Sequence, residues 1–367
     1  MTDSELLSRV IGIIDPGTKV MHSLHRGGRL LLALPVQKVS AAFALRLYQP
    51  QRLVARLMIA VVRGLGHVGW QSRILPAIRI QGDAALLDPP LTHIEPETCG
   101  ILLGSPEHQV RRAIVSYHRA GQWEVAKISF GRAGAEVLKA EAQVLQELHG
   151  TANGIPCLLG LHQNHEIAVL RMPYLTGAAI PLGESKEAMQ LLEQWIEDDA
   201  RQPLPDFSEW AAIQSGMPVG GSASLVLAHL SKHHLTPVIC HGDFARWNLL
   251  KQADSSLIVL DWEWGHSAGM PGIDLVHYFL QDARLVRRMS AKAAIESTIL
   301  DLNRPECRSY LDQTGWSGNP LLPIIACLAY KQGAGHQDNK EILKEILDFG
   351  FLKKKNIFNK NQCSGMF

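Results

Sequence analysis

Closely spaced cysteines are missing from this chain. Its six, Cys99, Cys157, Cys240, Cys307, Cys327 and Cys363, lie far apart. That excludes a zinc ribbon and a disulfide framework, and makes a reducing cytoplasm the expected compartment. Long apolar runs are missing too. The most apolar stretch, residues 53–62, is broken by Arg56 and ended by Arg63 and Gly64, so it is too short to span a bilayer. A helix lying on a membrane surface stays open, because Arg46, Arg52, Arg56 and Arg63 accompany the aliphatics. Asp3, Glu5 and Asp15 interrupt the first residues, so a secretory leader is not expected. Internal repeats and long low-complexity tracts are also absent. The eight tryptophans are scattered, which argues against a stacking platform for nucleic acid.

Acidic residues are scarce in one region. Residues 1–82 hold 11 Lys+Arg against 3 Asp+Glu, whereas residues 83–367 hold 25 against 32. A basic first segment on an acidic body suits an anionic partner, such as a membrane surface, a phosphorylated carrier or an anionic glycan. It equally suits a basic helical face packed on the acidic body, and composition leaves both open.

At 367 residues, 46% hydrophobic and 19% charged, the chain has the makings of a soluble globular protein with two lobes. Residues 1–95 read as a basic helical extension, punctuated by Pro16-Gly17, Gly27-Gly28, Pro35 and Pro50. Residues 96–172 change pattern. The runs 100–103, 113–117, 123–128 and 167–170 have strand character, with a turn at Ala120-Gly121, and residues 136–149 form a helix. Residues 173–350 read as mainly helical apart from one hairpin, and residues 351–367 as a frayed basic tail. The expected class is α+β: a β-rich small lobe, a helical large lobe and an N-terminal helical extension.

The chemistry concentrates at the hairpin. Residues 238–240 are a short apolar run that delivers His241-Gly242-Asp243 onto a loop. Asn248 stands immediately before the first hairpin strand, and Asp261 immediately after the second, residues 257–260; residues 253–256 between them are turn chemistry. Antiparallel pairing brings Asn248 and Asp261 together. An amide oxygen and a carboxylate are hard ligands of the kind magnesium takes when it is shared with phosphates. Asp243 is left to face an acceptor hydroxyl. Arg246, inside the same loop, is either a phosphate contact or an exposed side chain. His233-His234 has no ligand at zinc spacing.

The run His241-Gly242-Asp243-Phe244-Ala245-Arg246-Trp247-Asn248, followed by Leu260-Asp261-Trp262-Glu263, resembles the aminoglycoside phosphotransferase and choline kinase superfamily, which has a protein-kinase-like bilobal fold. The resemblance spans about residues 96–300. It implies Asp243 as catalytic base, Asn248 and Asp261 as magnesium ligands, and ATP or GTP as co-substrate. The acceptor it implies is a hydroxyl of a metabolite, sugar or amino-alcohol. Asp274, in a Pro-x-x-Asp-Leu context, falls where the family has a further Asp, and reads as a structural anchor and as the N-cap of a helix over 275–280.

Lys127, within the strand 123–128, matches the phosphate-contacting lysine of that fold. Its carboxylate partner is sought on the following helix among Glu136, Glu141 and Glu147. Glu136 and Glu147 share a polar stripe with Lys139, Gln143 and Gln146. Glu141 sits with Val137 and Val144 on the apolar face, where a carboxylate needs a partner, so Glu141 is the expected one. Gly104 and Ser105 are the candidates for cradling phosphate through backbone N–H groups, and the stretch through Met172 and Tyr174 for holding the base. The alternative from another class is a catalytically silent kinase-fold scaffold; the full set of base, metal ligands and lysine pair argues against it.

Overall fold

The structure is a computed structural model, and it describes residues 1–15, 17–48, 50, 53–67, 71–83, 91, 94–104, 110–197, 201–335 and 340–347. The expected tail, residues 351–367, and Ser105 lie outside the described residues. The chain divides into two compact units: residues 1–149 with 156–176, and residues 150–155 with 177–367.

The first unit is built on one antiparallel sheet of eight strands: β1 (Thr18–Arg26), β2 (Arg29–Leu34), β3 (Ala77–Gln81), β4 (Gly100–Leu103), β5 (Arg112–Arg119), β6 (Gln122–Phe130), β7 (Gly160–Gln163) and β8 (Ile167–Pro173). Their order across the sheet is β3-β1-β2-β4-β5-β6-β8-β7. The expected runs from residue 100 onward are all present as strands. The first 95 residues differ from expectation. They do contain helices, α1 (Asp3–Ile14), α2 (Lys38–Arg46), α3 (Leu53–His67) and α4 (Gln71–Ile74), but they also supply three strands that continue the same sheet. Gly27 and Gly28, both at positive φ (58° and 78°), form the two-residue turn between β1 and β2. A left-handed pair of this kind is the connection that a twisted hairpin favours.

Cross-strand partners share a face, so the register sorts the core. Leu32, Leu102, Ile114, Lys127 and Leu170 follow one another across the sheet on one face. On that side Leu32 and Leu34 pack with Ala41, Ala44 and Leu45 of α2 and with Ile59 of α3, and helix α5 (Gly131–Leu148) lies against β6 and β8. On the opposite face Ala33, Ile101, Val115, Ala126 and Ile128 pack with Leu6, Leu7, Val10 and Ile11 of α1. The start of α1 is tied down by Asp3, which accepts from Arg111 and lies 3.6 Å from Arg29.

The second unit is mainly helical, with α6 (Lys186–Gln194), α7 (Trp210–Gly216), α8 (Ser222–Leu230), α9 (Ile273–Gln281), α10 (Ala291–Leu302), α11 (Pro305–Thr314), α12 (Leu321–Gly333) and α13 (Lys340–Ile346). Its strands are short: β9 (Ala178–Ala179), β10 (Gln202–Pro203), β11 (His234–Leu235), β12 (Val238–Cys240), β13 (Leu249–Lys251), β14 (Leu257–Val259) and β15 (His266–Gly269). β13 and β14 are the expected hairpin, paired Leu249↔Val259 through Lys251↔Leu257. Asp254 accepts from the N–H and hydroxyl of Ser256 at 3.0 and 2.7 Å and shapes the turn. β12 pairs with β15 and ends at Cys240, so the His-Gly-Asp loop leaves the sheet edge where the sequence placed it.

Candidate active site

The loop after β12 is clamped from helix α9. Asp274, 3% exposed, accepts the backbone N–H of His241 at 2.6 Å and that of Gly242 at 2.9 Å. A carboxylate that takes two buried backbone donors fixes the course of the chain. This is the anchoring role expected of Asp274. The capping role is not: α9 starts at Ile273 with Gly272 as its cap residue, so Asp274 sits inside the first turn, where its charge still favours the helix. Gly242 has φ +78° and an added Cβ would stand 2.4 Å from the carbonyl of Trp264, so no other residue fits there.

His241 accepts the N–H of Asp243 on Nδ1 at 3.2 Å. The proton therefore resides on Nε2, which donates to the Leu260 carbonyl at 2.8 Å. One imidazole thus ties the loop to the strand that leads into Asp261. Trp262 packs edge-on against that imidazole, with centroids 4.8 Å apart, and donates its indole N–H to the Val259 carbonyl.

Asp243 keeps 36% of its side-chain surface exposed. Its Oδ1 accepts from His277 Nε2 at 2.7 Å, and its Oδ2 accepts from the Asn248 amide at 3.1 Å. Burial pushes this carboxyl up, but the His277 hydrogen bond and the fields of His277 and Lys331 outweigh it and hold the group well below the usual carboxylate range. Burial and the Lys331 ammonium push the His277 imidazole down, against the pull of Asp243. Lys331 itself, 4% exposed on α12, donates to the Gly242 carbonyl.

Neither His277 nor Lys331 was singled out from sequence. Both left a signal. His277 is three residues beyond Asp274, on the same face of α9, and Lys331 is the one charged residue of an otherwise uncharged helix, Leu321–Gly333.

The hairpin brings Asn248 and Asp261 together as expected: the Leu260 N–H donates to the Asn248 carbonyl at 2.7 Å. Asp261 adopts φ +71°, a left-handed conformation that aspartate tolerates and that clusters at functional sites. The NH2 of Asn248 donates twice to Asp243, to its carbonyl at 2.9 Å and to its carboxylate, so the amide oxygen is the atom that remains for a cation. That oxygen and the Asp261 carboxylate are a donor set that fits magnesium completed by substrate phosphates. Among the described residues no cluster of three or more His, Cys, Asp or Glu is placed to hold a metal ion. Arg246 is not exposed. It is buried, donating from Nε to Asp282 at 3.0 Å and from Nη1 to the Ile180 carbonyl.

In the first unit, Lys127 Nζ donates to Glu141 Oε1 at 2.5 Å, with the two residues 6% and 1% exposed. Glu136 and Glu147 are exposed, so Glu141 is the partner as expected, although the buried face that carries it is Leu138, Ala142, Leu145 and Leu148, with Val137 and Val144 only half-buried. Two other expectations fare differently. The N–H of Gly104 donates to the Arg112 carbonyl at 2.8 Å, closing the β4–β5 ladder, and is not available to a phosphate. The N–H of Tyr174 donates to the Trp123 carbonyl at 2.9 Å, and its hydroxyl to the Phe43 carbonyl at 2.8 Å; its ring stands edge-on to Phe43, which stacks on Trp123. Tyr174 is thus a packing residue of the sheet. Met172 is buried on β8 opposite Val125.

No protein-family model matches this chain, and no curated protein does. Solved aminoglycoside phosphotransferases are similar to it. A thermostable mutant of aminoglycoside phosphotransferase APH(4)-Ia, in a ternary complex with ADP and hygromycin B, is 14% identical, with a TM-score of 0.45 over 71% of this chain and 95% of that one. Aminoglycoside phosphotransferase APH(3'')-Id from Streptomyces rimosus, in complex with ADP and streptomycin, is 13% identical, with a TM-score of 0.41 over 60% and 90%. A Haemophilus somnus structure described as a fructosamine-3-kinase is 15% identical, with a TM-score of 0.42 over 67% and 89%. At TM-scores of 0.45 and below these similarities assign no residue of this chain a role.

Proposed function

We propose that this protein is a small-molecule kinase that transfers the γ-phosphoryl group of ATP or GTP to a hydroxyl of a metabolite, sugar or amino-alcohol. The observation that carries the reading is the setting of Asp243: one carboxylate oxygen is held by His277 and the other by Asn248, on a loop locked by Asp274, with surface left open. Each oxygen keeps acceptor capacity beyond its one partner, so the carboxylate can receive the hydrogen bond of an incoming hydroxyl. As the hydroxyl oxygen forms its bond to the γ-phosphorus, the bond from that phosphorus to the nucleoside diphosphate breaks, and the hydroxyl proton passes to Asp243. A carboxyl held this low is a weak base, which suits a loose transition state in which positioning matters more than early proton removal. Asn248 and Asp261 would hold magnesium, which when bound neutralises charge developing on the phosphates. Lys127, kept in place by Glu141, supplies the charge for the α- and β-phosphates.

The test is phosphate transfer by the full chain with magnesium and ATP or GTP across a hydroxyl panel that includes hygromycin B, streptomycin, fructosamines, choline and simple sugars. Transfer to at least one class, abolished by Asp243→Asn, supports the reading. A second reading, a silent kinase-fold scaffold, draws support from the engaged N–H groups of Gly104 and Tyr174. Nucleotide binding without magnesium-dependent turnover on any acceptor would favour it.

A further inference from the structure

The three acidic residues of the first 82 all fall within the first 15, so residues 16–82 hold ten Lys+Arg and no Asp or Glu. This acid-free run contains α2 and α3, and the two helices are packed in an unequal way. The inner side of α3 is satisfied: Ile59 is 4% exposed, Val62 packs beside it on Leu45 and Leu75, and Arg63 turns inward to donate to the carbonyls of Leu45 and Tyr48, both at 3.0 Å. The outer side is not. Leu57, Met58 and Val61 are 60%, 64% and 59% exposed. With Ala60 and Gly64, also exposed, they fall within one arc of the helix. No polar or charged side chain among the described residues 57–64 lies on that arc, and the arc contributes nothing to the core. Close to it in the chain, Val39 (66%) and Val36 (54%) are exposed beside Lys38, and Ile74 (46%) beside Arg73. Arg46 is exposed where α2 meets Arg63.

We propose that α3, flanked by the basic residues of this acid-free run, docks on the surface of an anionic phospholipid bilayer, with Leu57, Met58 and Val61 entering the headgroup boundary. An apolar arc carried by a basic segment is what an interfacial helix requires, and anionic headgroups are the surface that attracts such a run. A second copy of the chain is disfavoured, because it would bring two basic segments without an acidic residue face to face. A nucleic acid would leave the aliphatic arc unserved, and among the described residues no aromatic side chain of this run stands exposed for stacking. The helix lies on the membrane and does not cross it. Its 15 residues span about 22 Å, short of a bilayer core of about 30 Å, and no described helix is long and apolar enough to cross.

The test is flotation of the full chain with vesicles of phosphatidylcholine alone and with vesicles containing about 30 mol% phosphatidylglycerol. Binding to the anionic vesicles is expected to be about ten-fold stronger and to weaken at high salt. Leu57→Glu/Val61→Glu should lower it about ten-fold, and Arg46→Glu/Arg73→Glu should lower it several-fold. Both pairs are exposed; Leu57→Ser/Met58→Ser serves if the first double variant does not fold. Equal binding to both vesicle types, or undiminished binding by these variants, would overturn the proposal. So would a dimer in solution that Leu57→Glu/Val61→Glu splits. None of these outcomes depends on kinase activity.

Discussion

Glu141 and Asp243 are both carboxylates held by a nitrogen donor, and they are held to opposite ends. Glu141 and Lys127 are buried together, at 1% and 6% exposure, so the pair closes on itself. Such a pair adds little net stability, but removing one member strands the other in a low dielectric. Asp243 is gripped by His277, whose side chain is 9% exposed, while 36% of its own remains open. Its partners fix its orientation and leave it able to accept another hydrogen bond. A closed pair suits holding a lysine in one place; an open one suits meeting a substrate.

The largest test of that contrast is Asp243→Asn. It is expected to lower kcat by about 1,000-fold with a smaller loss of stability than Glu141→Ala, because the amide oxygen keeps one of the two donors and the site stays part-open. Glu141→Ala should do the reverse in emphasis, costing about 3–5 kcal/mol in urea unfolding. The double change Lys127→Met/Glu141→Leu should recover most of that stability and none of the nucleotide handling. If Asp243→Asn cost as much stability as Glu141→Ala, the contrast between open and closed pairs would collapse.

Asp274→Ala, which leaves two buried N–H groups without their acceptor, is expected to cost about 1.5–3 kcal/mol and to weaken transfer by loosening the loop. Paired measurements of kcat and Tm on this variant would show whether the two losses go together.

The smallest effect concerns pH. His277 is held below its ordinary value of about 6.5, so below that pH the unfolded chain binds a proton that the folded one resists, and stability falls as pH falls through that window. Asp243, held below its own ordinary range, contributes stability that is complete above about pH 3.9 and is lost only in stronger acid. His277→Gln should therefore flatten the denaturation profile near pH 6 and leave the acid limb in place. A profile unchanged by the substitution would mean that His277 is not the group titrating.

Much of the site could be read locally. His241 to Asn248 are contiguous, the hairpin that carries Asn248 and Asp261 announces itself by two apolar runs and a turn, and Glu141 is separated from Glu136 by helical period alone. Where the structure departs from the sequence pattern, the deciding partners lie far away in the chain. The strands β1 to β3 carry many basic residues and read in sequence as part of a helical extension, although Gly27-Gly28 is a hairpin signal; only pairing with β4 makes them part of the sheet. Gly104 is a phosphate candidate from its place between two strands and Tyr174 a nucleotide candidate from its place after β8, but the carbonyls of Arg112 and Trp123 take up their backbone N–H groups. Arg246 was placed by its loop and is decided by Asp282, 36 residues away.

By itself, then, the sequence determined which residue types stand at the hairpin ends, which face of α5 carries a carboxylate, and that the first 82 residues are basic. These follow from short periodicities and from chemistry that adjacent residues already hold. Tertiary structure alone decided that His277 and Lys331 join Asp243, that Asp274 clamps the loop from inside its helix, and that α3 keeps an apolar arc outward. Those outcomes depend on which buried donor meets which acceptor across tens of residues, and such matches exist only once the chain has packed.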